Sequence, residues 1–331
     1  MKRITNLILV ASFAMLLNVS TQVSAQVDII PCNTTISTDS NDIEYLLNPS
    51  DNQYYPVRNM VDEIANVSAK NGHDYEFESK FEAKRLAEKN NAQTNNSMAR
   101  NQSPVPGGAG YGTFYTYDFQ TEFVQGTTLS YDIICPTKAG GDVESYLYLT
   151  ACNRAAKGVE AFISYYKQQD FHFKIYDWAR DEDERWQIDL SYSNMQEYLS
   201  NKTINGSSHQ VVSIQNRTEK VSNTQWRNIV WLWNYETYTY DMVYSYTYNA
   251  TLADQIDSHY GTWGPIVETF QDSFSVNTNI MGFYLSQLMS KGTNGTWGNW
   301  RLLTDDISTI LNQTPGVDVV YLDPNHTFTV H

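Results

Sequence analysis

Residues 238–250 alternate without a break. Tyr238, Tyr240, Met242, Tyr244, Tyr246, Tyr248 and Ala250 hold one set of positions, and Thr239, Asp241, Val243, Ser245, Thr247 and Asn249 hold the other. A period of two separates these sets onto the two faces of a β-strand, which no helix can do. The five phenols then leave two readings open. Each ring gains from burial, and each hydroxyl needs a partner or water. The stripe is either a core face with its hydroxyls satisfied at the margins, or a wet aromatic cleft for an extended ligand. Trp231 and Trp233 alternate on the preceding strand, and a tight connection near 235–237 predicts a hairpin that adds their indoles to the same surface.

The same texture continues on both sides. Segments 113–123, 127–134, 144–151, 158–166, 171–178, 186–192, 210–215, 226–235, 237–251, 266–274, 281–287, 298–303 and 317–322 read as strands, separated by turn signals such as Asn205-Gly206 and Asn294-Gly295. The expected fold is all-β: an antiparallel β-sandwich of jelly-roll or concanavalin-like type over 106–331. Residues 26–105 differ. Val57, Met60, Val61, Ile64 and Val67 keep a helical spacing, a second helix is expected over 74–89, and the Asn-, Gln- and Ser-rich run 90–106 reads as a linker. This predicts a helical, partly disordered extension, a candidate propeptide, outside the sandwich.

Lys2 and Arg3, the apolar run Leu7–Leu17 and the small residues Val23-Ser24-Ala25 have the form of an export signal cleaved after residue 25. The expected location is secreted or periplasmic. No later apolar run reaches the ~18–20 residues of a membrane helix, so no membrane insertion is expected. With 22 basic against 37 acidic residues the net charge is −15, which repels nucleic acid. An exporting compartment permits a disulfide. Cys135 with Cys152 is the expected pair, leaving Cys32 over. Eleven Asn-x-Ser/Thr sites follow the signal, Asn216 among them, and would take glycans in a host that adds them.

Motifs narrow the chemistry. The run 107–112 is glycine-rich but follows a proline-containing linker and precedes a strand, so it lacks the setting of a nucleotide loop. No zinc spacing and no serine-hydrolase elbow occur in the sequence. Asp181-Glu182-Asp183-Glu184 reads as a solvated turn, with surface calcium at Asp181 and Asp183 as its alternative; no other cofactor is expected. Glu268 falls on the same strand parity as Ile266 and Phe270, and Asp177 on that of Phe171, Phe173 and Ile175. A carboxyl on an apolar face either meets a cation or has a raised pKa suited to general-acid work. Glu268 and Asp177 are therefore the candidate catalytic pair. Tyr238, Tyr240, Tyr244, Tyr246, Tyr248, Trp231 and Trp233 are the candidate substrate-binding set. Glu160 and Asp241 are weaker candidates.

The alternating strands, Trp/Tyr enrichment and export signal resemble the concanavalin A-like lectin/glucanase superfamily over 106–331. The string Trp263, Ile266-Val267-Glu268, Phe270 is similar to a strand of the glutamic peptidases, which use a Gln/Glu pair on a like sandwich and carry a propeptide. The first resemblance implies a protein that binds, and in the enzyme case hydrolyses, a polysaccharide. The second implies a secreted acid peptidase acting on extended peptide. A non-catalytic adhesion protein is the third expectation.

Overall fold

The computed structural model describes residues 43–71, 78–79, 82, 109–115, 125–135, 146–154, 156–166, 170–204, 206–255, 264–271, 282–291, 297–301, 308–311, 319–321 and 327–330. All of these lie in one compact unit, Pro31–His331. The export signal and the 90–106 linker lie outside the described residues.

The fold is all-β, built from two sheets. In chain order the strands are β1 (Tyr45–Asn48), β2 (Gln53–Asn59), β3 (Ala109–Tyr115), β4 (Gly126–Ile134), β5 (Tyr146–Arg154), β6 (Val159–Tyr166), β7 (His172–Asp177), β8 (Trp186–Ser191), β9 (Leu199–Ile204), β10 (Ser207–Ser222), β11 (Gln225–Asn234), β12 (Thr239–Asn249), β13 (Gly264–Gln271), β14 (Gly282–Lys291), β15 (Trp297–Arg301), β16 (Ser308–Leu311), β17 (Val319–Tyr321) and β18 (Thr327–Val330). The larger sheet has eleven strands and runs β1-β2-β12-β11-β10-β4-β14-β18-β17, with β15 on β14 and β9 on β10. The smaller sheet has seven and runs β16-β3-β13-β5-β6-β7-β8. Pairing is antiparallel except where β2 joins β12 in parallel, with Tyr240 opposite Val57 and Met242 opposite Asn59.

The core lies between the sheets. Leu129, Tyr131 and Ile133 of β4, Val212 and Ile214 of β10, and Val230 and Leu232 of β11 meet Ala161, Ile163, Phe173, Ile175 and Leu190 of the smaller sheet. Each set is an every-second-residue series, as a half-buried strand requires.

The aromatic stripe does not stay on one face. Val230 pairs with Tyr244 and Trp231 with Met242, so Val243 is an extra residue, a β-bulge. Beyond it the alternation inverts. Tyr240 and Met242 join Trp231, Trp233, Tyr55 and Leu46 on the outer face of the larger sheet. Val243, Tyr244, Tyr248 and Ala250 belong to the main core, with Tyr246 packed against it.

The N-terminal segment is also not the separate helical extension expected for 26–105. Strands β1 and β2 come first and helix α1 (Val61–Asn71) follows them; of the second helix expected over 74–89, Glu78, Ser79 and Glu82 are described and are helical, the rest lying outside the described residues. The Asn59 side chain accepts from Val61 N at 3.2 Å, which starts the helix. Asp62 and Glu63 in its first turn and Lys70 in its last suit the helix dipole. Ile64 enters the main core, with Met60 and Val67 packed against it. Ser68 Oγ accepts from the backbone N of Asp189 on edge strand β8 at 2.8 Å. Helix α1 thus touches β8 of one sheet and β12 of the other.

Candidate functional site

The candidate binding residues are mostly interior. Trp231 has no exposure, and Tyr240, Tyr244, Tyr248 and Trp233 are buried. Tyr240 Oη accepts from Gln215 Nε2 at 2.9 Å. Tyr244 donates to Asp177 Oδ2 at 2.6 Å. Tyr248 donates to the Lys157 carbonyl at 2.7 Å. Their hydroxyls are therefore spent inside the protein, which decides for the core reading over the cleft. Tyr246 is partly exposed; it stacks on Tyr248 at 6.0 Å and lies 3.5 Å beneath the Arg180 guanidinium. Tyr238 is the exception, 65 % exposed. It sits in the β11–β12 turn, where its φ is +56°, rather than in the strand. Asn234 Oδ1 holds that turn by accepting from Glu236 N and Thr237 N, each at 3.0 Å.

Asp177 ends β7 on its inward face. It accepts from Tyr244, from Asn228 Nδ2 at 2.7 Å and from Ala179 N at 2.8 Å. Burial pushes its carboxyl up to about 6, against the downward pull of these hydrogen bonds and of Arg180. Its partners Tyr244 and Asn228 come from the larger sheet, so Asp177 links the two layers. Asp241, set apart by the sequence as a weaker candidate, is likewise interior. It accepts from the Arg58 fork, Tyr198 Oη, Asn234 Nδ2 and Thr239 Oγ1. Burial opposes its ionisation, yet these donors outweigh that and hold its pKa below the usual carboxylate range.

Glu268 lies on β13, an interior strand of the smaller sheet, opposite Gly112 on β3 and Thr150 on β5. That rung continues through Phe162, Lys174 and Asp189. The neighbouring rung runs Ile266, Cys152, Glu160, Tyr176 and Trp186. Asp177 pairs instead with Val159, at the opposite parity. Glu268 and Asp177 are therefore not partners on one face, and the expected catalytic pair is not assembled.

What accompanies the Glu268 rung is a second, polar and aromatic face, pointing away from the core. Trp178 Nε1 donates to Glu160 Oε1 at 2.7 Å. Lys174 Nζ pairs with Asp189, whose other oxygen lies 2.6 Å from His172 Nδ1. Burial opposes ionisation of Asp189, but the His172 hydrogen bond and the Lys174 charge outweigh it and hold its pKa down. Tyr176 packs edge-on against Trp178 at 4.9 Å and Trp186 at 5.0 Å. The Arg185 guanidinium lies 5.1 Å from the Trp178 ring and 6.0 Å from that of Tyr176, and its Nη1 donates to Tyr176 Oη at 3.4 Å. Glu160, Phe162, Lys174, Tyr176 and Asp189 are buried. Part of the cover comes from the N-terminal segment: Glu78 is buried, and the Glu82 side chain hydrogen-bonds Tyr176.

Sequence reasoning named Glu160 and Glu268 from this face but missed the rest, because it followed the series Phe171, Phe173, Ile175 and Asp177. The even series His172, Lys174 and Tyr176 was also unusually large, and two bulky series on one strand are the sign of a sheet covered on both sides.

The other expectations resolve as follows. Cys135 is a free, buried thiol; its Sγ lies 3.7 Å from the Gln210 carbonyl, so the bridge to Cys152 is absent. Cys135 follows directly on β4 of the larger sheet, whereas Cys152 lies in β5 of the smaller. Burial raises the Cys135 pKa and keeps the thiol protonated. Asp181 and Asp183 flank and enter an exposed 3₁₀ turn, Glu182–Glu184. Among the described residues no three His, Cys, Asp or Glu side chains converge as a metal cluster, and no helix is long and apolar enough to cross a membrane.

No protein-family model and no curated protein matches the chain. Solved structures similar to it include scytalido-glutamic peptidase with a peptide-based transition state analogue, at 11% identity over 68% of this chain and 97% of that one, with a TM-score of 0.31. SCP-B, an eqolisin-family peptidase in complex with the tripeptide Ala-Ile-His, gives 12% identity over 68% and 96%, with a TM-score of 0.32. The CBM2 module of the Lactobacillus casei BL23 phage J-1 evolved Dit gives 9% over 51% and 69%, with a TM-score of 0.23.

Proposed function

We propose that this chain is a secreted acid peptidase with Glu268 as its general acid–base, acting on extended peptide along the outer face of the smaller sheet. One observation carries the reading. The face flanking the Glu268 rung combines Glu160, Lys174, Asp189 and His172 with Tyr176, Trp178 and Trp186, and Glu82 of the chain's own N-terminal segment reaches into it. A sheet face used only for packing would be apolar; this one is polar and aromatic beneath its cover, and with the cover displaced it would present hydrogen-bonding and stacking groups to a polypeptide. Glu268 would take a proton from water as it attacks the scissile carbonyl and return it to the departing amine. The polysaccharide reading rested on exposed rings, and of those only Tyr238 is well exposed, Tyr246 being partly so and the rest buried. Removal or displacement of the covering segment would open the face, and the export-signal form of the first 25 residues supports the secreted part of the reading.

The test is hydrolysis of casein by the purified protein near about pH 4, where carboxyls change state. Wild type should cleave, and Glu268→Gln should not. Identical inactivity of both across the pH range, with the stretch around Glu82 intact or cut while residues 43–71 stay in place, would overturn the reading in favour of a non-catalytic adhesion protein.

A further inference from the structure

The cluster around Tyr176 contains two groups whose needs are unmet. Arg185 Nε and Glu82 Oε1 are both buried, and neither has a hydrogen-bond partner among the described residues. Between them stands the Tyr176 hydroxyl, which accepts from Arg185 Nη1 at 3.4 Å and donates to Glu82. A guanidinium presents a planar fork suited to both oxygens of a carboxylate. Here that fork lies against two aromatic rings, with Nε idle and a carboxylate one hydroxyl away. The parts of a carboxylate clamp are present, and the group nearest to filling it belongs to the chain itself.

We infer that Arg185, Tyr176 and Trp178 form a subsite for an acidic side chain of a peptide, and that Glu82 of the covering segment stands in it in place of a substrate residue. The inference rests on the peptidase reading and names its preferred substrate class. Tyr176, against whose ring the Arg185 guanidinium lies, is on β7, three strand spacings from β13 or about 14 Å. An extended peptide crossing the sheet from Glu268 would therefore bring the residue about four positions from the scissile bond to Arg185. Arg185 is a specificity residue here; it does not touch the reacting atoms.

Two measurements test this. The first is amide hydrogen exchange of residues 78–82 in the full chain, in a Glu268→Gln background so that no hydrolysis contributes. Arg185→Gln and Glu82→Gln should each speed exchange there, and combining them should add little further, because both act through the same Tyr176 bridge. Unchanged exchange in Arg185→Gln would overturn the subsite. So would a rise that spreads equally to β10, since that reports general loosening. The second measurement uses wild-type catalytic residues. Peptides with Glu four positions from the cleaved bond should be cut with kcat/KM about tenfold above their Gln counterparts, as a charge-assisted hydrogen bond allows. Arg185→Gln should erase that ratio while still cutting the Gln peptides. A ratio unaffected by Arg185→Gln would overturn the subsite, whereas the expected exchange result with no cleavage of any peptide would sink the peptidase reading alone.

Discussion

Asp177 makes the molecule's response to pH unusual at the level of one carboxyl. Its folded pKa, about 6, lies above the unfolded value of 3.8, so the folded state holds the proton more tightly. The associated stability is complete below the unfolded pKa and disappears as pH rises through about 6. Acid therefore strengthens this site, on the order of 3 kcal/mol between the two limits. Asp177→Asn should flatten that part of a stability–pH curve measured by denaturant melts, and should equal or exceed wild type near neutrality. Asp189 and Asp241 act in the opposite sense: their lowered pKa values give stability that is present above the unfolded value and lost as pH falls through the folded one. The interior aromatics make a second comparison. Trp231→Ala should cost on the order of 3–5 kcal/mol, while Tyr246→Ala, at a half-open position, should cost clearly less; thermal melts would separate them. Asn216 is fully buried and its Nδ2 donates to Tyr131 Oη at 3.3 Å. Its Asn-x-Thr signal should stay unmodified in a glycosylating host while exposed Asn249 is open to the transferase, which peptide mapping would reveal.

The strands were legible in the sequence wherever one face was apolar and the other was not. The predicted segments 127–134, 158–166, 226–235 and 237–251 each overlap a strand, β4, β6, β11 and β12 respectively. Strands β1 and β2 were illegible because Tyr45–Asn48 is too short to show a period, and because Val57 of β2 also fits the helical spacing of Met60, Val61, Ile64 and Val67. The inversion at Val243 was hidden for a physical reason. A bulge leaves the side-chain alternation in the sequence intact and changes only which face each member meets. Deleting Val243 tests this. The deletion would restore an unbroken ladder and carry Tyr240 and Met242, or else Tyr244 to Tyr248, to the wrong face. We expect an insoluble or unfolded product by circular dichroism. The substitution Val243→Ala keeps the extra residue and should fold, with a loss of about 1–3 kcal/mol.

Across the whole molecule the N-terminal segment acts as a fastener between layers. Strand β2 lengthens the larger sheet, Arg58 grips Asp241, Gln215 Nε2 donates to the Leu47 carbonyl at 3.0 Å, and α1 lies against the edge of the smaller sheet. Asp241→Ala would leave Arg58, Tyr198, Asn234 and Thr239 short of an acceptor and should lower stability by on the order of 3 kcal/mol. Removal of residues 26–71 should be more damaging, with Trp233 and Ile229 newly wetted and tryptophan emission shifted to the red. A chain that begins at 72 and melts like the full protein would contradict this account of the fold.

The parallel pairing of β2 with β12 also dictates an order of events at birth. Arg58 and Asp241 stand 183 positions apart in the chain. A ribosome adding about 5–20 residues per second completes the first long before the second exists. Until then β2 has a bare edge and Leu46 has no socket, so the earliest-made piece is among the last to settle. Contacts of such long range slow folding and leave sticky edges exposed. For a chain threaded unfolded through an export channel the delay does no harm, because nothing is asked to fold until every strand has crossed. In a cell that keeps the chain inside, the same delay would call for a holding chaperone.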